Sequence, residues 1–347
     1  MSQPIPRRRM ADIDFVKGFC ILCVHIGHSG VNLPNLSILW NTFYMSAFFI
    51  FSGFLGNRSS SLLKLLKSTL LLYYVWTLGL HAALAIPSML RDTFSATQWL
   101  SWLKPILLGL DQPQNSSQLW FLMALFVTKL LWYLIDRTLP SFNGKLLASA
   151  SLGIAGIIIH SLGFHLVPFR IVTGMIMLPV YAFGWALAAR WKREGLDAAV
   201  SRGARFPAIV LLFALWSLGT CLHYRIAGGT VNVWADQYNI FPLFYLNAST
   251  GTAAFLCLSR AMKSTHQKTV DLVHAAVSFY GINSLTAFLS VNVLIFVVRR
   301  LLNKLGIFAG QSSRLYCLVT FATVAILQIP VAHILNRPRV ARIVLLK

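Results

Sequence analysis

Acidic side chains are scarce in this chain: nine Asp and Glu in 347 residues, with only 11% of the sequence charged. A soluble domain usually carries about 25% charged residues. Here 57% of the residues are hydrophobic and the mean hydropathy is +0.68. That leaves too little polar side chain to clothe a water-soluble surface of this size. A soluble globular enzyme, a disordered chain and a fibrous repeat are therefore excluded. A disulfide framework is lacking as well. The five cysteines (Cys20, Cys23, Cys221, Cys257 and Cys317) are odd in number and lie mostly inside apolar runs. Cys20 and Cys23 form a C-x-x-C, but within a hydrophobic stretch, where free Cys is commonly a small buried hydrophobe. Phosphate-loop, zinc-protease and serine-hydrolase signatures are absent, as are internal repeats and low-complexity segments. No small-residue cleavage site follows the first apolar stretch. Arg7–Arg9 and the run from Phe15 are thus expected to be a retained first span rather than a signal peptide.

Long apolar runs are abundant. Ten candidate spans fall at roughly 13–30, 38–56, 62–86, 118–136, 146–166, 171–190, 206–226, 240–260, 276–299 and 315–336, each close to the 20 or so residues a spanning helix needs. The segment 97–110 is too short to span, and its Trp spacing predicts a helix lying in the membrane interface. The expectation is an all-α, multi-pass protein of the plasma or inner membrane. It has a single integral-membrane domain over 1–347 and both termini in the cytoplasm.

The charge of +21 fits that topology. With the N-terminus inside, Arg91, Lys104, Arg170, Arg225, Arg299, Arg300, Lys304 and Arg314 fall outside and Lys17 and Lys129 fall within spans. The other 20 of the 30 Lys and Arg fall inside. This is the positive-inside bias of a membrane protein, not a nucleic-acid footprint. Arg299, Arg300, Lys304 and Arg314 dissent: either the count of spans errs near the C-terminus, or that outer loop binds something anionic.

The first span carries the most chemistry. Lys17 and His28 are eleven residues apart, as are Asp14 and His25. Eleven steps of 100° return within about 20° of three full turns, so each pair shares a face at roughly 16 Å along the axis. His25 and His28 are neighbours at i,i+3. Ionisable residues at membrane depth are expensive and are functional candidates by default. The bland alternative is that Asp14 and Lys17 pair at the membrane edge while the histidines bond to neighbouring helices. In the second span, Ser52-Gly53 is a small pair suited to close helix packing. Arg58 returns to the cytoplasmic side near Lys17 in depth, and two cations there suit a phosphorylated ligand.

These stretches resemble the membrane-bound acyltransferase 3 family. Ile13-Asp14-Phe15-Val16-Lys17-Gly18 through Gly27-His28 matches its opening: a basic residue, ten residues, then His. Phe43-Tyr44-Met45 through Phe54-Leu55 is similar to its second-span signature, and Leu119 through Phe126 to its Trp-Phe-Leu element. Asn283-Ser284-Leu285 resembles its late Ser-Leu helix. The family often places a His some seven residues on, where this chain has Val291 and Asn292. The opening looks closest to sugar O-acetyltransferases of the fucose 4-O-acetylase group.

The resemblance implies transfer of an acyl group, most simply acetyl from acetyl-CoA, to a hydroxyl of a cell-surface glycan or its lipid-linked precursor. His28, with His25, is the implied catalytic pair, and Lys17 and Arg58 the donor-binding cations. Trp120, Asn283 and Ser284, with Arg170 at an outer span end, are the substrate-binding candidates. Anionic lipids are expected neighbours, and no metal is expected. The residues fit independently: O-acylation needs a base that titrates near neutrality, which His supplies, and positive charge for the donor's phosphates. The rival class is a transporter or flippase. All nine acids fall in loops or at span ends, which disfavours proton coupling through carboxylates but leaves histidine-based or facilitated transport open.

Overall fold

The expected all-helical membrane architecture is what the chain adopts. The computed structural model describes residues 10–56, 61–90, 94–110, 118–165, 167–194, 200, 204–306 and 313–346. Among them the only β-pairing is one bridge between Asn232 and Gln237. In order the helices are α1 (Ala11–His28), α2 (Pro34–Asn41), α3 (Tyr44–Phe54), α4 (Leu62–Leu65), α5 (Leu72–Met89), α6 (Ala96–Ser101), α7 (Leu103–Leu107), α8 (Trp120–Thr138), α9 (Phe142–Ser161), α10 (Ile171–Glu194), α11 (Phe206–Ala227), α12 (Phe241–Ser264), α13 (Lys268–Ile282), α14 (Ser284–Lys304), α15 (Arg314–Leu335) and α16 (Pro338–Val344). One wide π-helical stretch, Leu66–Leu71, joins α4 to α5.

Local sequence sets the helix ends. The side chains of Ser61, Ser95, Ser141 and Ser313 each accept a backbone N–H from the first turn that follows, and Pro34, Pro207, Pro242 and Pro338 sit where a missing N–H costs nothing. Gly228 ends α11 with φ 68, a conformation that favours glycine.

Seven helical stretches among the described residues are long and apolar enough to cross a membrane: Pro34–Phe54, Phe142–Ser161, Pro168–Arg190, Phe206–Ala227, Phe241–Ser264, Ser284–Lys304 and Arg314–Leu335. Two more helices of similar length carry charge instead: Asp12, Asp14 and Lys17 in α1, and Lys129, Asp136 and Arg137 in α8. Leucine and isoleucine faces on α9, α11 and α15 are exposed (Leu147, Ile154, Leu211, Leu218, Leu315, Ile326), as lipid-facing helices require. The charge-bearing α1 and α8 are packed inside.

Glycine lets the inner helices touch backbone to backbone. A Cβ on Gly18 of α1 would stand 1.8 Å from the Val277 carbonyl oxygen of α13, and one on Gly281 would stand 1.6 Å from that of Asp14. The α3–α10 crossing repeats the device: a Cβ on Gly53 would lie 2.0 Å from the Tyr181 oxygen, and one on Gly184 1.9 Å from that of Ile50. The packing role expected for Gly53 is thus what the structure gives it.

The structure refines three expectations about elements. The span near 38–56 is met by Pro34–Phe54, within which a turn at Thr42 and Phe43 separates α2 from α3. The span near 276–299 is two helices, α13 and α14, meeting at Asn283. The supposed interface helix at 97–110 is the short pair α6 and α7. It runs back along α5: the Trp99 carbonyl lies 3.0 Å from His81 Nε2, while Tyr73 and Tyr74 donate to the carbonyls of Ile106 and Leu107 at 2.9 and 2.8 Å. Those contacts descend eight residues of α5, about 12 Å, so the pair runs alongside that helix.

Candidate functional site

A cavity of about 480 Å³ opens where α3 and α8 end, near Gly56 and Arg137. Among the described residues four cations line it: Lys17 of α1, Lys64 of α4, and Lys129 and Arg137 of α8. The one carboxylate among them, Asp136, is ion-paired with Lys145, so this lining is left with an excess of positive charge. Lys17 stands 3.9 Å from Asp14, at the outer limit of an ion pair. Ser68 and Thr69 reach the wall from the π-helical stretch, a distortion that re-aims side chains and recurs at functional sites.

Lys129 was legible only as an oddity within a span, and Lys64 and Arg137 only as topology signals. The signal that identifies Lys129 and Arg137 is periodicity. Leu125, Lys129, Tyr133, Asp136 and Arg137 repeat at three and four residues along α8, and all five line the cavity.

The α1 stripe divides in two. Lys17 and Ile21 face the cavity. Asp14 and His25 face α13: Gly281 meets the Asp14 backbone, and Tyr280 meets the His25 ring edge-on at 6.1 Å. His25 is fully buried. The Ala287 backbone is a polar neighbour of its ring, but neither ring nitrogen makes a hydrogen bond of normal geometry. His25 therefore makes no hydrogen bond to His28 that would orient it. His28, half-buried at the end of α1, makes no hydrogen bond, ion pair or ring contact among the described residues, which leaves its imidazole available.

The end of α1 is fixed by Arg299, whose Nη2 donates to the Ser29 carbonyl at 3.0 Å. A cation on the last carbonyls of a helix complements its dipole. This gives a structural role to one of the four cations that depart from the expected positive-inside pattern. Arg300 stacks over the Phe296 ring at 5.0 Å.

The remaining sequence candidates separate. Ser284 lines the cavity. Asn283 binds the helix junction together: its Nδ2 donates to the Phe279 carbonyl at 2.8 Å, and its oxygen accepts from Asn336 at 2.9 Å. Arg170 and Trp120 come together, with the guanidinium 5.6 Å above the indole. Both are buried, however, and Arg170 is 0% exposed. Arg170 donates to the Trp234 carbonyl at 2.8 Å and lies 3.9 Å from Asp236, which also accepts from Thr173 at 2.7 Å and Tyr238 at 3.1 Å. Phe169, Arg170 and Asp236 all hold left-handed φ of 53–59°, uncommon for bulky side chains. Arg170 is thus a strut of the fold, not an open contact for an acceptor. Arg58 lies outside the described residues. Asn292, where the family often has His nearby, is buried and donates to Gln118 at 2.5 Å.

Residues 10–331 match the sequence model of the family described as an acyltransferase domain, the acyltransferase 3 family. No curated protein sequence and no solved structure matches the chain.

Proposed function

The chain belongs to the acyltransferase 3 family, and from that premise we propose that this membrane acyltransferase moves an acyl group, in the simplest case acetyl, from acyl-CoA to a sugar hydroxyl. The observation that carries the donor half is the cavity with Lys17, Lys64, Lys129 and Arg137 in its lining and, among the described residues, a single, already paired carboxylate. Such a site suits a ligand with several phosphates. The cations hold the donor at the cytoplasmic end, and α1 leads from Lys17 to His28, roughly 16 Å along its axis. His28 takes the proton of the acceptor hydroxyl as its oxygen attacks the thioester carbonyl. The carbon–sulfur bond then breaks, and the departing thiolate recovers a proton to leave as the thiol. The acceptor is a cell-surface glycan or its lipid-linked precursor, reached from the side of the membrane where α1 ends.

The donor assignment has a direct test in labelled coenzyme A binding to protein in lipid nanodiscs. Lys17→Ala and Lys129→Ala should each weaken binding by about ten- to a hundredfold, the 1.5–3 kcal/mol of a charged hydrogen bond. The loss should shrink as salt rises. Full affinity in both variants would reject the site.

The proposed topology has ten spans with both termini in the cytoplasm. Cysteines introduced near residue 197 should react with an impermeant reagent only from inside, and those near 232 only from outside. The opposite pattern at either position would overturn it.

A further inference from the structure

The donor cavity stops short of the histidines. From α1 it takes Lys17 and Ile21 but not Val24, His25 or His28. From Ile21 to His28 is seven residues, about 10 Å of helix rise. At the level of Ile21 three aromatic side chains from three other helices line the cavity: Phe48 of α3, Phe121 of α8 and Phe288 of α14. Phe121 is the common member. Its ring centroid lies 5.7 Å from Phe48, 5.2 Å from Phe49 and 5.4 Å from Phe288, each in edge-to-face geometry. It is 7% exposed, and Phe288 5%. The rings are braced against one another from separate helices, so none can yield without disturbing the others.

We infer that this aromatic cluster is the acyl-length filter of the donor cavity and that Phe121 is its specificity-determining residue. The inference rests on the donor reading proposed above. A donor held by its phosphates among the cations presents its thioester end inward, toward Ile21 and the rings. A short acyl group fits beneath the rings and passes toward His28 with only a small concerted shift of the cluster. Each added methylene must displace a ring from a packed cluster, and discrimination of one methylene in such a pocket runs to about 10–200-fold.

The test is displacement of labelled coenzyme A from the full-length protein in nanodiscs by unlabelled coenzyme A and by its acetyl, butyryl and octanoyl thioesters. The readout is the ratio of octanoyl-CoA to coenzyme A affinity. In the wild-type protein octanoyl-CoA should bind at least about tenfold more weakly than acetyl-CoA. In Phe121→Ala the ratio should rise by at least about tenfold, and in the milder Phe121→Leu by less. Should Phe121→Ala not fold, Phe121→Leu and Phe288→Leu carry the same comparison. A wild-type protein indifferent to chain length, or a ratio unmoved in the folded variants, overturns the filter and leaves the donor site standing. A wild-type protein that binds no member of the series overturns the donor site, and the filter with it.

Discussion

Replacing His28 with alanine should leave a protein that inserts, purifies and binds donor, yet transfers acyl groups at least about a hundredfold more slowly. Removal of a general base typically costs 10²–10⁴ in rate. Folding should survive because His28 is half-buried and makes no hydrogen bond among the described residues. His25 offers the contrast. It is fully buried against Tyr280, so His25→Ala removes packing, lowers thermal stability and reduces transfer less than His28→Ala does. The decisive comparison is transfer of labelled acetyl measured beside melting temperature and donor affinity. If His25→Ala abolishes transfer while His28→Ala is near normal, the base is His25. If both variants transfer normally, the histidines are structural and the general base lies elsewhere in the chain.

The second large effect falls on assembly. A methyl group at Gly281 has to occupy space 1.6 Å from the Asp14 carbonyl oxygen and 2.8 Å from the Gly18 nitrogen, and one at Gly18 has to sit 1.8 Å from the Val277 oxygen. All of these neighbours are backbone atoms within helices, so no side chain can turn aside and the helices themselves must separate. Overpacking costs 1–3 kcal/mol where side chains can adjust. Here about 3 kcal/mol or more is expected, against a total stability of roughly 5–15 kcal/mol. Gly281→Ala and Gly18→Ala should each yield little monodisperse protein in detergent. The double variant should be scarcely worse than either alone, because both act at one crossing. Gly27→Ala, on the same helix with nothing within 4 Å of the added carbon, is the control. A Gly281→Ala protein as stable as the Gly27→Ala protein would show that the crossing relaxes freely.

Much of this was legible in the sequence, and the remainder failed for identifiable reasons. Composition and apolar length sufficed for the all-helical membrane class. The eleven-residue spacing in α1 paired Lys17 with His28 and Asp14 with His25, since helix geometry is local, but which of these turn to the cavity and which to α13 is set by tertiary packing. The breaks at Thr42 and Asn283 were hidden because apolar character runs straight through them. Lys129 was hidden because one cation in an apolar run carries no partner in its own neighbourhood; its companions Lys17 and Lys64 come from other helices. Arg170 read as an open outer contact because its partners Trp234 and Asp236 follow more than 60 residues later. Asp12 was only one of nine acids in loops or at span ends, and nothing local marked its partners: its carboxylate is held by Arg260 at 2.7 Å and by Ser259 at 3.0 Å, nearly 250 residues away.

That last pairing bears on the order in which the protein is made. Helix α1 leaves the ribosome long before Arg260 and Ser259 of α12 and the α13 backbone that Gly18 meets, which come much later in the chain. At about 5–20 residues per second, the 248 residues between Asp12 and Arg260 take roughly ten to fifty seconds to synthesise. Throughout that interval the helix bearing the histidines holds Asp12, Asp14 and Lys17 in or near the bilayer with none of its later partners. Seating α1 is therefore a late step after insertion, and a nascent chain arrested before α12 emerges carries an unseated first helix open to quality-control proteases.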